Sequence, residues 1–150
     1  MTATLGIDIG TSGCKAVTFD ESGVPLSEAR RGYELLHPEP GAAELDGAAV
    51  MDACLAAIRQ AAGSADQPVA AAGVSSQGEA FCGVDADGEP LHAALVSSDT
   101  RAVGQVRCFA GDFGADRLYR ITGHTPYQMY SLFKLLWLRE ARPDVWKRAA

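Results

Sequence analysis

The opening of the chain constrains its fold more than any other stretch. An apolar strand, Gly6-Ile7-Asp8-Ile9, runs into a carboxylate; Gly10-Thr11-Ser12-Gly13 follows as a turn of small residues; Cys14-Lys15-Ala16-Val17-Thr18-Phe19-Asp20 carries a second strand. Glycines permit the positive φ that tight turns use, so the pattern predicts a β-hairpin. No bulky side chain guards the turn. Its backbone N–H groups, the hydroxyls of Thr11 and Ser12 and the ammonium of Lys15 are placed to face an anion such as a phosphate. Asp8 is placed to hold a magnesium ion through water, because that ion keeps much of its hydration shell. An ordinary hairpin with a solvated Asp and Lys accounts for the same spacing, so the residues alone leave both readings open.

Composition narrows the field. A chain of 150 residues predicts one domain with a sizeable core. A hydrophobic fraction of 47% and 16 glycines fit a globular protein rather than a disordered one. The net charge of −6, with no lysine- or arginine-rich block, argues against a nucleic-acid partner. Arg30-Arg31 reads as a solvated strand end rather than a polyanion patch. No apolar run approaches the ~20 residues of a membrane span, and the start lacks the apolar core of a signal peptide. A cytoplasmic location with no membrane partner is therefore expected. Cys14, Cys54, Cys82 and Cys108 stand far apart, as do His37, His92 and His124. The cysteines read as buried or free thiols in a reducing compartment, and a nitrogen- and sulfur-ligated metal site is not expected.

Along the chain, β-rich segments come first and helices later. A third strand is predicted over Val24–Tyr33, after the turn Asp20-Glu21-Ser22-Gly23, and a Pro- and Gly-broken loop over His37–Gly41. Val50, Cys54, Leu55 and Ile58 recur at helical spacing within Leu45–Ala62, with Asp46 as candidate cap and Gly63 beyond the end. Pro68–Ser75 is a nearly continuous apolar run, the pattern of a strand covered on both faces. Helix before strand suggests a parallel crossover. Phe81–Val84 and Ala93–Val96 read as strands flanking Asp85-Ala86-Asp87-Gly88. Helices are predicted over Thr100–Ala110, Ala115–Ile121, Leu132–Ala141 and Asp144–Ala149, with Pro143 starting the last.

Asp8-Ile9-Gly10-Thr11-Ser12-Gly13-Cys14-Lys15 resembles the first phosphate loop of the actin-like ATPase superfamily. Within it the chain is similar to the N-terminal part of the FGGY carbohydrate kinases, the group of xylulose, gluconate and glycerol kinases. Further segments agree in order: Ala72-Gly73-Val74-Ser75-Ser76-Gln77 with Val84–Leu91, then Ser97-Ser98-Asp99-Thr100-Arg101, then Lys134–Glu140. The resemblance covers nearly the whole chain. It implies an α/β fold, a ribonuclease H-like lobe with a mixed β-sheet and flanking helices, incomplete in this chain. The predicted order of three meandering strands, a helix and a parallel strand is consistent with that lobe.

The resemblance also implies ATP and Mg²⁺ as cofactors and a small sugar or polyol as substrate. Asp8 takes a catalytic role holding the metal, and Lys15 a catalytic role facing the transferred phosphate with Thr11 and Ser12. Gly10 and Gly13 complete the cofactor-binding turn. Gln77, Glu79, Asp99 and Arg101 are assigned to the sugar site. An amide and a carboxylate suit a polyol, offering donors and acceptors for its hydroxyls. Gly78 replaces a larger, charged residue of the glycerol-kinase version, and Ser97 stands where the family commonly has a tryptophan. Phe81 and Tyr127 are candidate stacking surfaces, although a core role suits Phe81 better. From the residues alone, Glu79 also fits a surface loop, Asp99 also fits a helix cap, and Trp137 fits packing against the sheet.

A family kinase is several times longer. Its aspartate base, second phosphate loop and nucleotide lobe lie downstream of the matched region, and Asp112, Asp116 and Asp144 do not resemble the base motif. The expectation is an N-terminal part, 1–150, of the family's N-terminal domain with the nucleotide-binding C-terminal domain absent, inactive alone and completed by a C-terminal lobe or another chain. A non-catalytic lobe that binds sugar weakly or pairs with a partner is the rival expectation.

Overall fold

In the computed structural model, which describes residues 1–150, the predicted hairpin is formed by β1 (Ala3–Ile9) and β2 (Gly13–Phe19). β3 (Pro25–Gly32), β4 (Glu44–Leu45), α1 (Gly47–Gly63), β5 (Val69–Ser76) and β6 (Ala94–Leu95) follow. The rest is helical: α2 (Val103–Phe109), a π-helical turn (Ala110–Gly114), α3 (Ala115–Thr122), α4 (Ser131–Ala141) and α5 (Pro143–Arg148). The chain divides into two compact units. Unit one is Met1–Leu35 with Asp46–Gln77, and unit two is Leu36–Leu45 with Gly78–Ala150.

Unit one is a four-stranded sheet of order β3-β2-β1-β5. β1 and β2, and β2 and β3, are antiparallel; β1 and β5 are parallel, as the predicted crossover requires. Side chains alternate across a strand. Leu5, Ile7, Cys14, Ala16 and Ala29 therefore share one face and form a core with Cys54, Ala57 and Ala61 of α1. Small residues on both sides let the helix approach closely. Thr18, fully buried on the same face, is satisfied because its hydroxyl lies 2.7 Å from that of Ser27, which donates to the Ala61 carbonyl.

The helix predicted over Leu45–Ala62 starts at Gly47, since Leu45 belongs to β4 and Asp46 is the cap. Asp46 accepts from the amides of Ala48 at 2.8 Å and Ala49 at 3.2 Å. Gly63 is the last helical residue rather than the one beyond, and Ser64 is the C-cap. Asp46→Ala should lower stability by about 1 kcal/mol in urea denaturation; an unchanged midpoint would show that the cap is dispensable.

One expectation is overturned. The Pro68–Ser75 run does form a strand, but β5 is exposed along its whole length rather than covered on both faces. It lies at the sheet edge beside β1. An apolar run identifies a strand without saying whether these residues supply its cover.

Unit two contains the short antiparallel pair β4–β6, with isolated bridges Leu36–Glu44, Phe81–Leu95 and Val84–Pro90. The strands predicted over Phe81–Val84 and Ala93–Val96 thus shrink to β6 and single bridges. β4 was not predicted. The helix expected from Thr100 starts at Val103, because the Thr100 amide donates to Gly41 and the backbone of Asp99 to Val96, outside any helix. Its C-terminal end runs through the π-helical turn to Gly114, whose φ of 93° suits glycine. Ala102, Leu118 and Phe133 form the apolar cluster, flanked by Phe109, Phe113 and Trp137. Trp137 belongs to this cluster, not to the packing against the sheet that was expected. Pro143 opens α5 as predicted. No helix is long and apolar enough to cross a membrane.

Candidate functional site

The turn between β1 and β2 is held at its base. The Gly10 amide donates to the Gly13 carbonyl at 3.0 Å, and the Gly10 carbonyl accepts the Tyr33 hydroxyl at 2.5 Å and the Gln77 amide at 3.3 Å. The Tyr33 backbone N–H reaches Ser12 O at 3.3 Å. The turn's outward groups stay free: the amides of Thr11 and Ser12 make no hydrogen bond within the chain. Glycine is needed at position 13 for a reason other than the expected positive φ, which neither Gly10 nor Gly13 adopts. A Cβ on Gly13 would lie 2.6 Å from the Arg31 carbonyl oxygen.

Asp8 stands opposite Lys15 in the β1–β2 register. Both line a cavity of about 270 Å³ with Gly10, Ser12 and Gly13, while Thr11 is exposed outside that lining. The Lys15 ammonium meets Glu28 at 3.0 Å. No group of three or more His, Cys, Asp or Glu gathers to cage a metal. Asp8 is an exposed carboxylate, which suits an ion that keeps much of its hydration shell, such as Mg²⁺. Cys14, the next residue on the buried face, contributes no thiolate: burial, together with Cys54 beside it, pushes its thiol up to about 11.

In unit two, Asp99 and Arg101 form one construction. Asp99 is 1% exposed. Its carboxylate accepts the Ala43 amide at 3.0 Å, the Arg101 amide at 3.0 Å and the Arg101 guanidinium at 2.7 Å. The guanidinium also binds Glu39 at 2.8 Å and Glu44 at 2.5 Å, and lies 4.3 Å from the Trp137 ring centroid. Burial pulls the Arg101 proton affinity down, but the hydrogen bonds of Asp99, Glu39 and Glu44 outweigh it and hold the guanidinium above its ordinary value. Asp99 does not cap α2, whose N-terminus has no side-chain cap. It ties the preceding loop to Ala43.

Glu79 has a φ of 63°, the only positive value outside glycine. Such backbone strain gathers at functional sites. Its carboxylate accepts the Ser131 amide and, at 2.6 Å, the Ser131 hydroxyl, and it lines a pocket of about 230 Å³ with Thr122, His124 and Tyr130. Lys134, 1% exposed, donates to the carbonyls of Glu79 and Val96 and so holds the strained peptide in place. Burial lowers the proton affinity of Lys134, against the pull of Glu79 and Asp99.

The Ser131 side-chain hydrogen bond holds the Glu79 carboxyl below its usual range. The folded value lies under the unfolded one, so the stabilisation is present above about pH 4.3 and is lost as pH falls through the folded value. Between about pH 6 and pH 3 the wild type should lose more of its urea midpoint than Glu79→Gln. Parallel losses would assign the acid sensitivity elsewhere.

Asp8, Gly10, Thr11, Ser12, Gly13, Lys15 and Gln77 therefore stand together in unit one, with Gln77 bound to the turn. Glu79, Asp99 and Arg101 stand in unit two, where Lys134 joins the Glu79 and Val96 segments. Sequence reasoning missed the clamp by Tyr33, the partners Glu39 and Glu44, and the anchoring by Lys134. A lysine inside the apolar run Leu132–Trp137 was the available signal for the last.

Comparison with known proteins gives a consistent result. The pattern described as the FGGY family of carbohydrate kinases, N-terminal domain, matches residues 3–150. The chain is 33% identical over 143 residues to a probable L-xylulose kinase of Haemophilus influenzae, covering 93% of this chain and 30% of that protein. It is 37% identical over 136 residues to a glycerol kinase of Methylorubrum extorquens, covering 88% and 27%. A ligand-bound xylulose kinase from Lactobacillus acidophilus superposes with a TM-score of 0.94 at 30% identity, covering 99% of this chain and 30% of that one. The chain thus spans about 30% of the length of these relatives. The mixed α/β lobe is accordingly the one expected from the resemblance, and the chain belongs to the FGGY family of carbohydrate kinases.

Proposed function

We propose that this chain supplies the N-terminal part of a kinase that transfers the terminal phosphate of ATP to a hydroxyl of a small sugar or polyol. The observation that carries the reading is the Gly10–Gly13 turn, whose Thr11 and Ser12 amides are free and whose Ser12 lines one cavity with Asp8 and Lys15. Phosphoryl transfer depends on placement and charge neutralisation more than on covalent chemistry. Thr11 and Ser12 offer hydroxyl and amide donors to phosphate oxygens, and Lys15 offers a charge. Asp8 would hold Mg²⁺, which would supply neutralisation of charge on the phosphate oxygens.

In unit two, Glu79 is the reader of substrate hydroxyls, since only one of its oxygens is engaged by Ser131. Asp99 and Arg101 shape that region through the loop they fasten and do not themselves need to touch sugar. Gln77 acts on the turn and offers its remaining amide oxygen, which is buried without a partner, to a ligand. The general base and the second wall around the nucleotide are assigned to protein outside these residues.

The test is transfer of labelled phosphate from ATP to xylulose, gluconate and glycerol by the 150-residue chain. No transfer is expected, while Mg·ATP shifts the ¹⁵N resonances of Thr11 and Ser12. Turnover by the chain alone, or nucleotide that leaves those amides unmoved, contradicts the proposal. A second reading, a non-catalytic lobe that pairs with another chain, is favoured by the exposure of β5 along its length. Concentration-dependent association in sedimentation supports that reading; a well-behaved monomer counts against it.

A further inference from the structure

The register of the sheet sets three charged residues in a row beneath the turn. Asp8 of β1 pairs with Lys15 of β2, and Lys15 pairs with Arg30 of β3. Alternation places all three on the face away from α1, because Cys14, Ala16 and Ala29 occupy the face turned to the helix. Arg31 falls on the helix side, where its guanidinium donates to Gln60 at 2.6 Å and to the Arg30 carbonyl at 2.8 Å. From the sequence Arg30-Arg31 reads as a solvated strand end rather than a polyanion patch; the pleat separates the two and turns Arg30 alone to the cavity.

Arg30 lines the turn cavity with Ser12, Gly13 and Lys15. Its guanidinium takes part in none of the ion pairs of the chain. Lys15, by contrast, is held by Glu28 at 3.0 Å, with side-chain exposures of 37% and 53%. The cavity therefore carries one uncommitted cation and one engaged by a solvated carboxylate. An exposed pair of that kind is weak and screened by salt. A polyphosphate brings several negative charges, and the guanidinium fork matches two phosphate oxygens at once.

We propose that Arg30 is a second cation of the phosphate-binding turn, and that Glu28 competes with the incoming anion for Lys15. Arg30 grips the anion directly. Lys15 joins it by exchanging the Glu28 carboxylate for a phosphate oxygen. This assignment rests on the turn being an anion site and adds a residue and a competitor to it.

Isothermal titration of the chain with inorganic tripolyphosphate, at low salt and without metal, tests it. Arg30→Gln should weaken binding by about tenfold, and Glu28→Gln should tighten it by about threefold. Arg31→Gln changes net charge by the same amount as Arg30→Gln but on the helix face, and should stay within about twofold of wild type. Arg59→Gln on α1 serves as the same control if loss of the Gln60 contact disturbs folding. Equal losses in Arg30→Gln and the controls would reduce the effect to net charge and overturn the assignment. So would a Glu28→Gln affinity at or below wild type. A wild-type chain that binds no tripolyphosphate refutes the anion site itself, a result distinct from binding that is indifferent to Arg30 and Glu28.

Discussion

Asp99→Ala is expected to destabilise unit two by about 3 kcal/mol in urea denaturation followed by tryptophan fluorescence. Removing one partner of a buried ion pair costs about 3–5 kcal/mol, because the other charge stays desolvated. Asp99 is 1% exposed and receives two backbone amides as well as the Arg101 guanidinium. The lower end of the range applies, since Glu39 and Glu44 still reach Arg101. Asp99→Asn keeps an oxygen for the Ala43 amide and should fall between alanine and wild type. Glu39→Gln, at a carboxylate 56% exposed, should change stability by less than about 1 kcal/mol. A loss below about 1 kcal/mol for Asp99→Ala would mean that the loop is fastened by packing alone.

Gly13→Ala should cost about 2–3 kcal/mol and abolish tripolyphosphate binding. The added methyl would meet the Arg31 carbonyl oxygen at 2.6 Å and the Gly32 Cα at 3.2 Å. Both are backbone atoms of the neighbouring strand and cannot rotate away, so β2 and β3 must part where the turn begins. Overpacking of this kind costs about 1–3 kcal/mol, more when backbone has to move. Gly10→Ala is the comparison, because its nearest neighbour is the Gly13 carbonyl oxygen at 3.4 Å. It should cost less than about 1 kcal/mol and leave the turn amides in place. Thermal denaturation and the ¹⁵N spectrum together check the contrast. Equal effects at the two glycines would show that the close approach to β3 does not govern the turn.

What was legible in the sequence, and what was not, follows from the range of each interaction. The hairpin, α1 and its Asp46 cap are local patterns, and strand period, helix period and capping chemistry identified them. The cover over β5 is not local: Val69–Ser76 has the composition of a buried strand whether or not its cover lies among these residues. β4 escaped notice because a two-residue strand has no periodicity to read, and β6 is what remains of the strand predicted over Ala93–Val96. The turn residues are contiguous, so the turn itself was legible, but the need for Gly13 came from the Arg31 backbone, which only the β2–β3 register reveals. Glu39, Glu44, Asp99 and Arg101 meet across up to 62 positions of sequence, so their mutual neutralisation was invisible until the loops were placed. The parity that sends Arg30 to the cavity and Arg31 to the helix was available in principle, once β3 had a register.

The dependence of tripolyphosphate affinity on Mg²⁺, compared between wild type and Asp8→Asn, tests most directly whether the turn is an anion cradle served by a metal-holding acid. In the wild type, added Mg²⁺ should tighten binding by about tenfold, while Asp8→Asn should bind the free anion at least as well and gain nothing from the metal. A metal-dependent gain that survives in Asp8→Asn, or tripolyphosphate that leaves the Thr11 and Ser12 amides undisturbed, would contradict the account.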